Sequence, residues 1–289
     1  MEIKVIHLIM ITLGILLVFG FVPMVISDEE CSGQDCNTNM TIIIGNEAPT
    51  IPYVMEVSAV TLNGGTTKVV EVSFNATDNN GFEDLDITSA NVTFSKAGET
   101  DRTASSCSAV QNTTLTSVIN CTITMQFYDT DGADWNINAS ISDDSSSYAE
   151  NITTTFTVNG LDYVSQDVLA VTWGTVSAGS DDNEADNTIT LTNGGNQDYP
   201  YLNITGYDAS GDSLGSLISA ENFSVSNLTG QSSGQIYMVN ATEVDTSLQL
   251  SMNEHGSSVT EEIFFYVDLD EGLPADTYRS DEDWAIQVS

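Results

Sequence analysis

Positive charge is almost missing from this chain. Its five lysines and arginines face 42 aspartates and glutamates, a formal charge of −37. Past residue 27 the bases are Lys68, Lys96, Arg102 and Arg279 alone. Nucleic-acid binding is thereby excluded, because it needs lysines and arginines gathered against phosphates. Docking on anionic lipid is disfavoured by the same argument. Histidine is as scarce: His7 lies in an apolar leader and His255 in the turn-like run Asn253–Ser257. A His-based triad or a multi-histidine metal site has nothing to be built from. Some carboxylate pair is always close in so acidic a chain, so a paired-acid hydrolase gains no support. The expectation is that the chain is not an enzyme. Helix signals are lacking too, apart from one ambiguous stretch, Ser213–Phe223.

What is present begins with an apolar run from Val5 to Ile26, preceded by Glu2 and Lys4 and followed by the small residue Ser27. This order predicts a secretory signal peptide over residues 1–27. A run of this length would also span a bilayer as a retained anchor, the one route to a membrane, and both readings stand. Residues 28–46 read as an acidic linker containing Cys31 and Cys36. The remainder suits two domains, 47–159 and 160–289, the first entered through Ala48-Pro49-Thr50-Ile51-Pro52. Four cysteines in an exported chain read as two local disulfides, Cys31–Cys36 and Cys107–Cys121. Zinc is disfavoured, since neither C-x-x-C nor a neighbouring His is present.

The periodicity is that of strands. Val70, Val72, Phe74 and Ala76 alternate with polar residues, as do Ile119, Cys121, Ile123, Met125 and Phe127, then Trp135, Ile137, Ala139 and Ile141, then Ile152, Thr154, Phe156 and Val158. Each such strand has one face in a core and one in water. In the second half, strands are expected around Val168–Trp173, Thr188–Leu191, Tyr201–Gly206, Gln235–Val239, Ile263–Val267 and Trp284–Val288. Turn clusters such as Asn63-Gly64-Gly65 and Asp78-Asn79-Asn80-Gly81 punctuate them. The fold class is all-β, read as two tandem immunoglobulin-like β-sandwich domains. Trp135, Trp173 and Trp284 are expected as core anchors, and Phe264-Phe265-Tyr266 as core on one side with a second face open to a partner.

Two chemistries remain. The N-glycosylation sequon occurs at Asn39, Asn75, Asn91, Asn112, Asn120, Asn138, Asn151, Asn203, Asn222, Asn227 and Asn240. In the strands of Asn75, Asn91, Asn120, Asn138, Asn151 and Asn203 the residue after the asparagine is apolar, which predicts outward-facing asparagines. A lysine-poor β protein also fills outward positions with Asn and Thr for solubility alone. The second chemistry is oxygen-only metal binding, which suits calcium. Asp78, Asn80, Glu83, Asp84 and Asp86 crowd one turn, Asp129, Asp131 and Asp134 another, and Asp181, Asp182, Glu184 and Asp186 a third. None completes an EF-hand loop, and solvated hairpin turns are the plainer reading.

The stretch Phe74-Asn75-Ala76-Thr77-Asp78-Asn79-Asn80-Gly81-Phe82-Glu83-Asp84-Leu85, followed by Ala90-Asn91-Val92-Thr93-Phe94, resembles Ig-like modules of the PKD and cadherin-like kind in prokaryotic surface proteins. The second half resembles repeats of archaeal S-layer-associated secreted proteins, through residues 189–196 and 267–278. The resemblance implies a sandwich at the cell surface and no reaction. The expected function is therefore a non-catalytic secreted or cell-surface glycoprotein. It would be a structural or adhesive envelope module of a salt-adapted microbe, its partners other envelope proteins or glycans. The alternative is a calcium- or carbohydrate-binding extracellular module. No cofactor is expected beyond calcium in that alternative.

Overall fold

Strand β1 spans Thr50–Val54, β2 Lys68–Thr77, β3 Leu85–Ser95, β4 Arg102–Asn112, β5 Thr116–Met125, β6 Gly132–Asp143 and β7 Tyr148–Val158. A computed structural model describes residues 39–252, 259–280 and 282–289. The expected signal peptide, the Cys31–Cys36 pair and His255 lie outside the described residues. The chain is all-β, and among the described residues the only helical turns are two of 3-10 type, Phe82–Asp84 and Ala220–Asn222.

Alternation decides which side of each strand is buried. Val72 lies opposite Cys121 and Phe74 opposite Ile119 across β2 and β5, and Phe94 lies opposite Ile137 across β3 and β6. All six side chains are buried in one core. The strand order is β1-β2-β5-β4-β3-β6-β7. β4 pairs with β5 along most of its length but with β3 only at Thr103 and Arg102, so it turns the corner between two layers. The opposite seam closes where Val60 bridges Val158 and Asn151 Nδ2 donates to Ile51 O at 2.9 Å. The first and last strands of the order are thus neighbours, rolled around Trp135, Phe94 and Phe156. Burying each such ring contributes about 2–3 kcal/mol. Cys107 and Cys121, facing each other across β4 and β5, are joined in the expected disulfide.

One parity expectation fails. Ile152 is 59% exposed rather than buried. The β6–β7 register slips between Ile137 and Ala139, and the extra residue of this bulge reverses the faces of β7 beyond it.

In the second half, β8 spans Val164–Gln166, β9 Asn183–Glu184, β10 Ile189–Asn193, β11 Tyr199–Gly206, β12 Ala209–Gly211, β13 Leu217–Ile218, β14 Phe223–Ser226, β15 Ile236–Tyr237, β16 Thr242–Leu250, β17 Val259–Val267, β18 Tyr278–Ser280 and β19 Ala285–Val288. They form three antiparallel sheets, β15-β14-β17-β10-β8 with β9 on β17, β16-β11-β19, and β13-β12-β18. A second core gathers Leu191, Leu202, Ile204, Val225, Leu250, Ile263 and Phe265. Trp173 packs on Phe223, and Trp284 on Phe223 and Phe265, at centroid distances of 5.4–6.1 Å. The expected strand at Val168–Trp173 is not one. The Asn187 side chain satisfies that backbone instead, accepting from Thr172 N and donating to Ala170 O. On the second face of Phe264–Tyr266, Tyr266 is buried, its hydroxyl donating to Leu228 O at 2.6 Å, and Phe264 is half-buried.

Residues 46–289 form one compact unit around these two cores. Leu161 packs on the first and Val164 on the second, so the chain crosses between them there. Asn196 staples the crossing. It is 2% exposed, accepts from Leu161 N at 2.6 Å, and donates to Asp129 O at 2.9 Å and Asn159 O at 3.2 Å.

Candidate functional site

At one end of the first core, β2 stops and the chain makes a tight turn. Asp78 N donates to Leu115 O, and Asp78 Oδ1 accepts Asn80 N at 2.7 Å. Gly81 N returns to Asp78 O, and its φ of 124° is open only to glycine. The 3-10 turn Phe82–Asp84 follows, and then β3 begins with buried Leu85, which pairs with Asp143 at the end of β6. That pairing carries Asp143 to the acidic turn. Ligand oxygens of Asp78, Asp84 and Asp143 all lie within 4.8 Å of one another.

The three carboxylates differ in surroundings. Asp143 is 2% exposed and well served: Oδ2 accepts Asn46 Nδ2 at 2.8 Å, and Oδ1 accepts Ser147 N at 2.8 Å. The Asn46 bond, with the Ser147 bonds, holds its pKa below the usual range. Asp84 is driven the other way, upward, by desolvation first and then by the charges of Asp78, Asp143 and Asp144. Asp78 is 1% exposed, and its Oδ2 is enclosed without a hydrogen-bond partner among the described residues. A buried carboxylate oxygen with no donor is costly, and a second acid beside it adds repulsion. A cation relieves both. Oxygens opposite each other across a calcium ion, each about 2.4 Å from it, stand about 4.8 Å apart, so the trio is already gathered to the span calcium needs.

The other residues of the first acidic turn serve elsewhere. Asp86 Oδ1 accepts Thr88 N and Oγ1, and the hydroxyl bond leads in lowering its pKa. Asn80 Oδ1 accepts Glu47 N at 2.7 Å, and Glu83 is exposed. The second turn does not gather: Asp129 is fully buried against Arg102, Asp134 pairs with Lys96 at 3.0 Å, and Asp131 lends its carbonyl to Lys96. Asp143 was absent from the sequence-based candidates. Only the β3–β6 pairing brings it near, and local spacing carries no sign of that.

The third acidic stretch is dispersed as well. Asp182 Oδ1 accepts Gln235 Nε2, while Glu184 ties down the loop after β14. Glu184 accepts Gly230 N at 2.6 Å and Thr229 Oγ1 at 2.7 Å. The Gly230 bond leads in lowering its pKa. A depressed carboxyl stabilises the fold above its unfolded pKa of about 4.3, and that contribution is lost as pH falls through the folded value. Glu184→Gln is therefore expected to lower the melting temperature at pH 7 and to lessen its fall on acidification below about pH 5. Thermal melts of both proteins across that window check this; parallel curves would contradict it.

Of the strand sequons, Asn75, Asn91, Asn120, Asn138 and Asn203 flank fully buried neighbours and lie half-buried on the outward faces. Asn75, Asn138 and Asn203 have their Oδ1 atoms enclosed. Asn151, in the bulged strand, spends its amide on Ile51 O, and Asn222 spends its own on Asp268 O. Asn240 exchanges bonds with Asp208, while Asn39, Asn112 and Asn227 are exposed. The sequence matches no protein-family model and no curated protein.

Proposed function

We propose that the chain is a non-catalytic extracellular structural module whose first core is clamped by calcium between Asp78, Asp84 and Asp143. The observation that carries this is Asp78 Oδ2, buried without a donor beside two further carboxylates. Export is supported by the leader-like N-terminus and the disulfide, and a surface role by the sequons and the sparse bases. The charge suits concentrated salt, where the Debye length falls to about 3 Å and self-repulsion is screened. Other envelope proteins or glycans are the partners that fit such a surface.

Calorimetric titration with calcium tests the reading. Saturable binding is expected in the range of extracellular modules, a Kd of roughly 10⁻⁴–10⁻³ M. Each tenfold excess of calcium over Kd then adds about 1.4 kcal/mol to stability. Asp78→Asn and Asp84→Asn should abolish the transition, while Asp134→Asn, which removes only the partner of Lys96, should leave it. A flat titration at millimolar calcium, or equal heats from all four proteins, would remove the proposal.

A further inference from the structure

Asn46 is the first residue of the compact unit, and its side chain reaches the acidic trio. Its Nδ2 donates to Asp143 Oδ2 at 2.8 Å and to Ser147 Oγ at 3.1 Å. The backbone beside it is docked on the turn that supplies Asp78, with Glu47 N donating to Asn80 Oδ1 at 2.7 Å and Asn79 Nδ2 to Glu47 Oε2 at 3.0 Å. So the turn of Asp78 and the loop after β6 both hold residues 46–47.

Building on the calcium reading, we infer that Asn46 is a fourth protein ligand of the same ion, its amide turning to present Oδ1, so that loading the site pins the chain entry at residues 46–47. The argument is electrostatic. An amide NH₂ is the positive end of its dipole, and an ion held by Asp143 repels it. A half-turn of the amide brings the oxygen to nearly the same place, and the Ser147 hydroxyl, acceptor in one state, donates in the other. No hydrogen bond to Ser147 is lost. Calcium requires six to eight oxygens, and a neutral amide oxygen is an ordinary member of such a set.

The test uses the full chain in three forms. Wild type, Asn46→Ala and Asn46→Asp are titrated with calcium by calorimetry, and hydrogen exchange is followed at the Glu47 amide. Asn46→Ala is expected to weaken calcium binding about tenfold, and Asn46→Asp, which supplies a fourth carboxylate, to tighten it. Calcium should slow Glu47 exchange in the wild type and not in Asn46→Ala. If the wild type binds calcium and Asn46→Ala binds it as tightly or more tightly, Asn46 is no ligand and only this inference falls. If the wild type does not bind, the calcium reading falls and takes this inference with it. Asn46 is exposed, so the alanine variant is expected to fold, and the aspartate variant gives an independent reading of opposite sign.

Discussion

Replacing Arg102 with alanine is expected to destabilise the protein by about 3–5 kcal/mol, the usual result of leaving a buried charge without its partner. The Asp129 side chain is fully buried, and Arg102 Nε donates to both of its oxygens, at 3.0 and 3.2 Å, while a second guanidinium nitrogen contacts Oδ1. Gln126 N also donates to this carboxylate, at 2.8 Å. The guanidinium also lies 5.5 Å from the centroid of the Tyr128 ring. The loss reaches further than one turn, because Asp129 O receives Asn196 from the second half. At roughly 2–4 °C per kcal/mol for a chain of this size, the melting temperature should fall by about 10 °C. Arg102→Lys should recover only part, since an ammonium cannot make the forked contact. A paired replacement, Arg102→Met with Asp129→Leu, should recover more than either single change, because it leaves no stranded charge. Denaturant unfolding of the parent and the three variants measures this. A single-variant loss below 1 kcal/mol would mean that Asp129 is hydrated and the pair is of the weak surface kind.

How far such features could be read in advance depended on whether they were local. The alternation over Val70–Ala76, Ile119–Met125 and Trp135–Ile141 was legible because those strands bury one face against a single core. It misled at Ile152, where a bulge invisible in the sequence inverts the parity. It overlooked β16, whose first fully buried position is Thr246, after half-buried Val244, and whose next residue, Ser247, has a φ of 57°. It also passed over β4, which shows so much polar surface that no apolar rhythm survives. The site divides in the same way. Asp78 and Asp84 share one turn and were legible as acids in a loop. Asp143 arrives through strand pairing, and Asp129 is withdrawn by an arginine 27 residues away. Long-range neutralisation and long-range recruitment leave no spacing signature, so density of acids alone overestimates one turn and underestimates another.

Gly195→Ala is expected to cost about 3 kcal/mol, at the upper end of what overpacking produces. A Cβ on Gly195 would stand 2.1 Å from Leu161 O and 3.0 Å from Tyr163 N. These atoms belong to the backbone that crosses between the cores, and they cannot yield cheaply. Asn196 N donates to Leu161 O at 3.1 Å, Gly194 N to Tyr163 O at 3.0 Å, and Gly65 N, from the first half, to Gly194 O at 2.8 Å. Moving the crossing far enough to admit a methyl group breaks several of these bonds together with the Asn196 staple. Gly174→Ala is the matched control: its added Cβ meets only the side-chain end of exposed Asp186, at 3.3 Å, and should be nearly neutral. Calorimetry distinguishes strain confined to one loop from loss of the joint. If the crossing couples the two cores, the variant's melting should broaden or separate into two transitions, because each core then unfolds on its own terms. A variant melting within 2 °C of the parent in one sharp transition would show that the crossing yields freely and that the cores are coupled elsewhere. The structure opposes that outcome, since the backbone on both sides of the collision is already committed to hydrogen bonds that any relaxation must break.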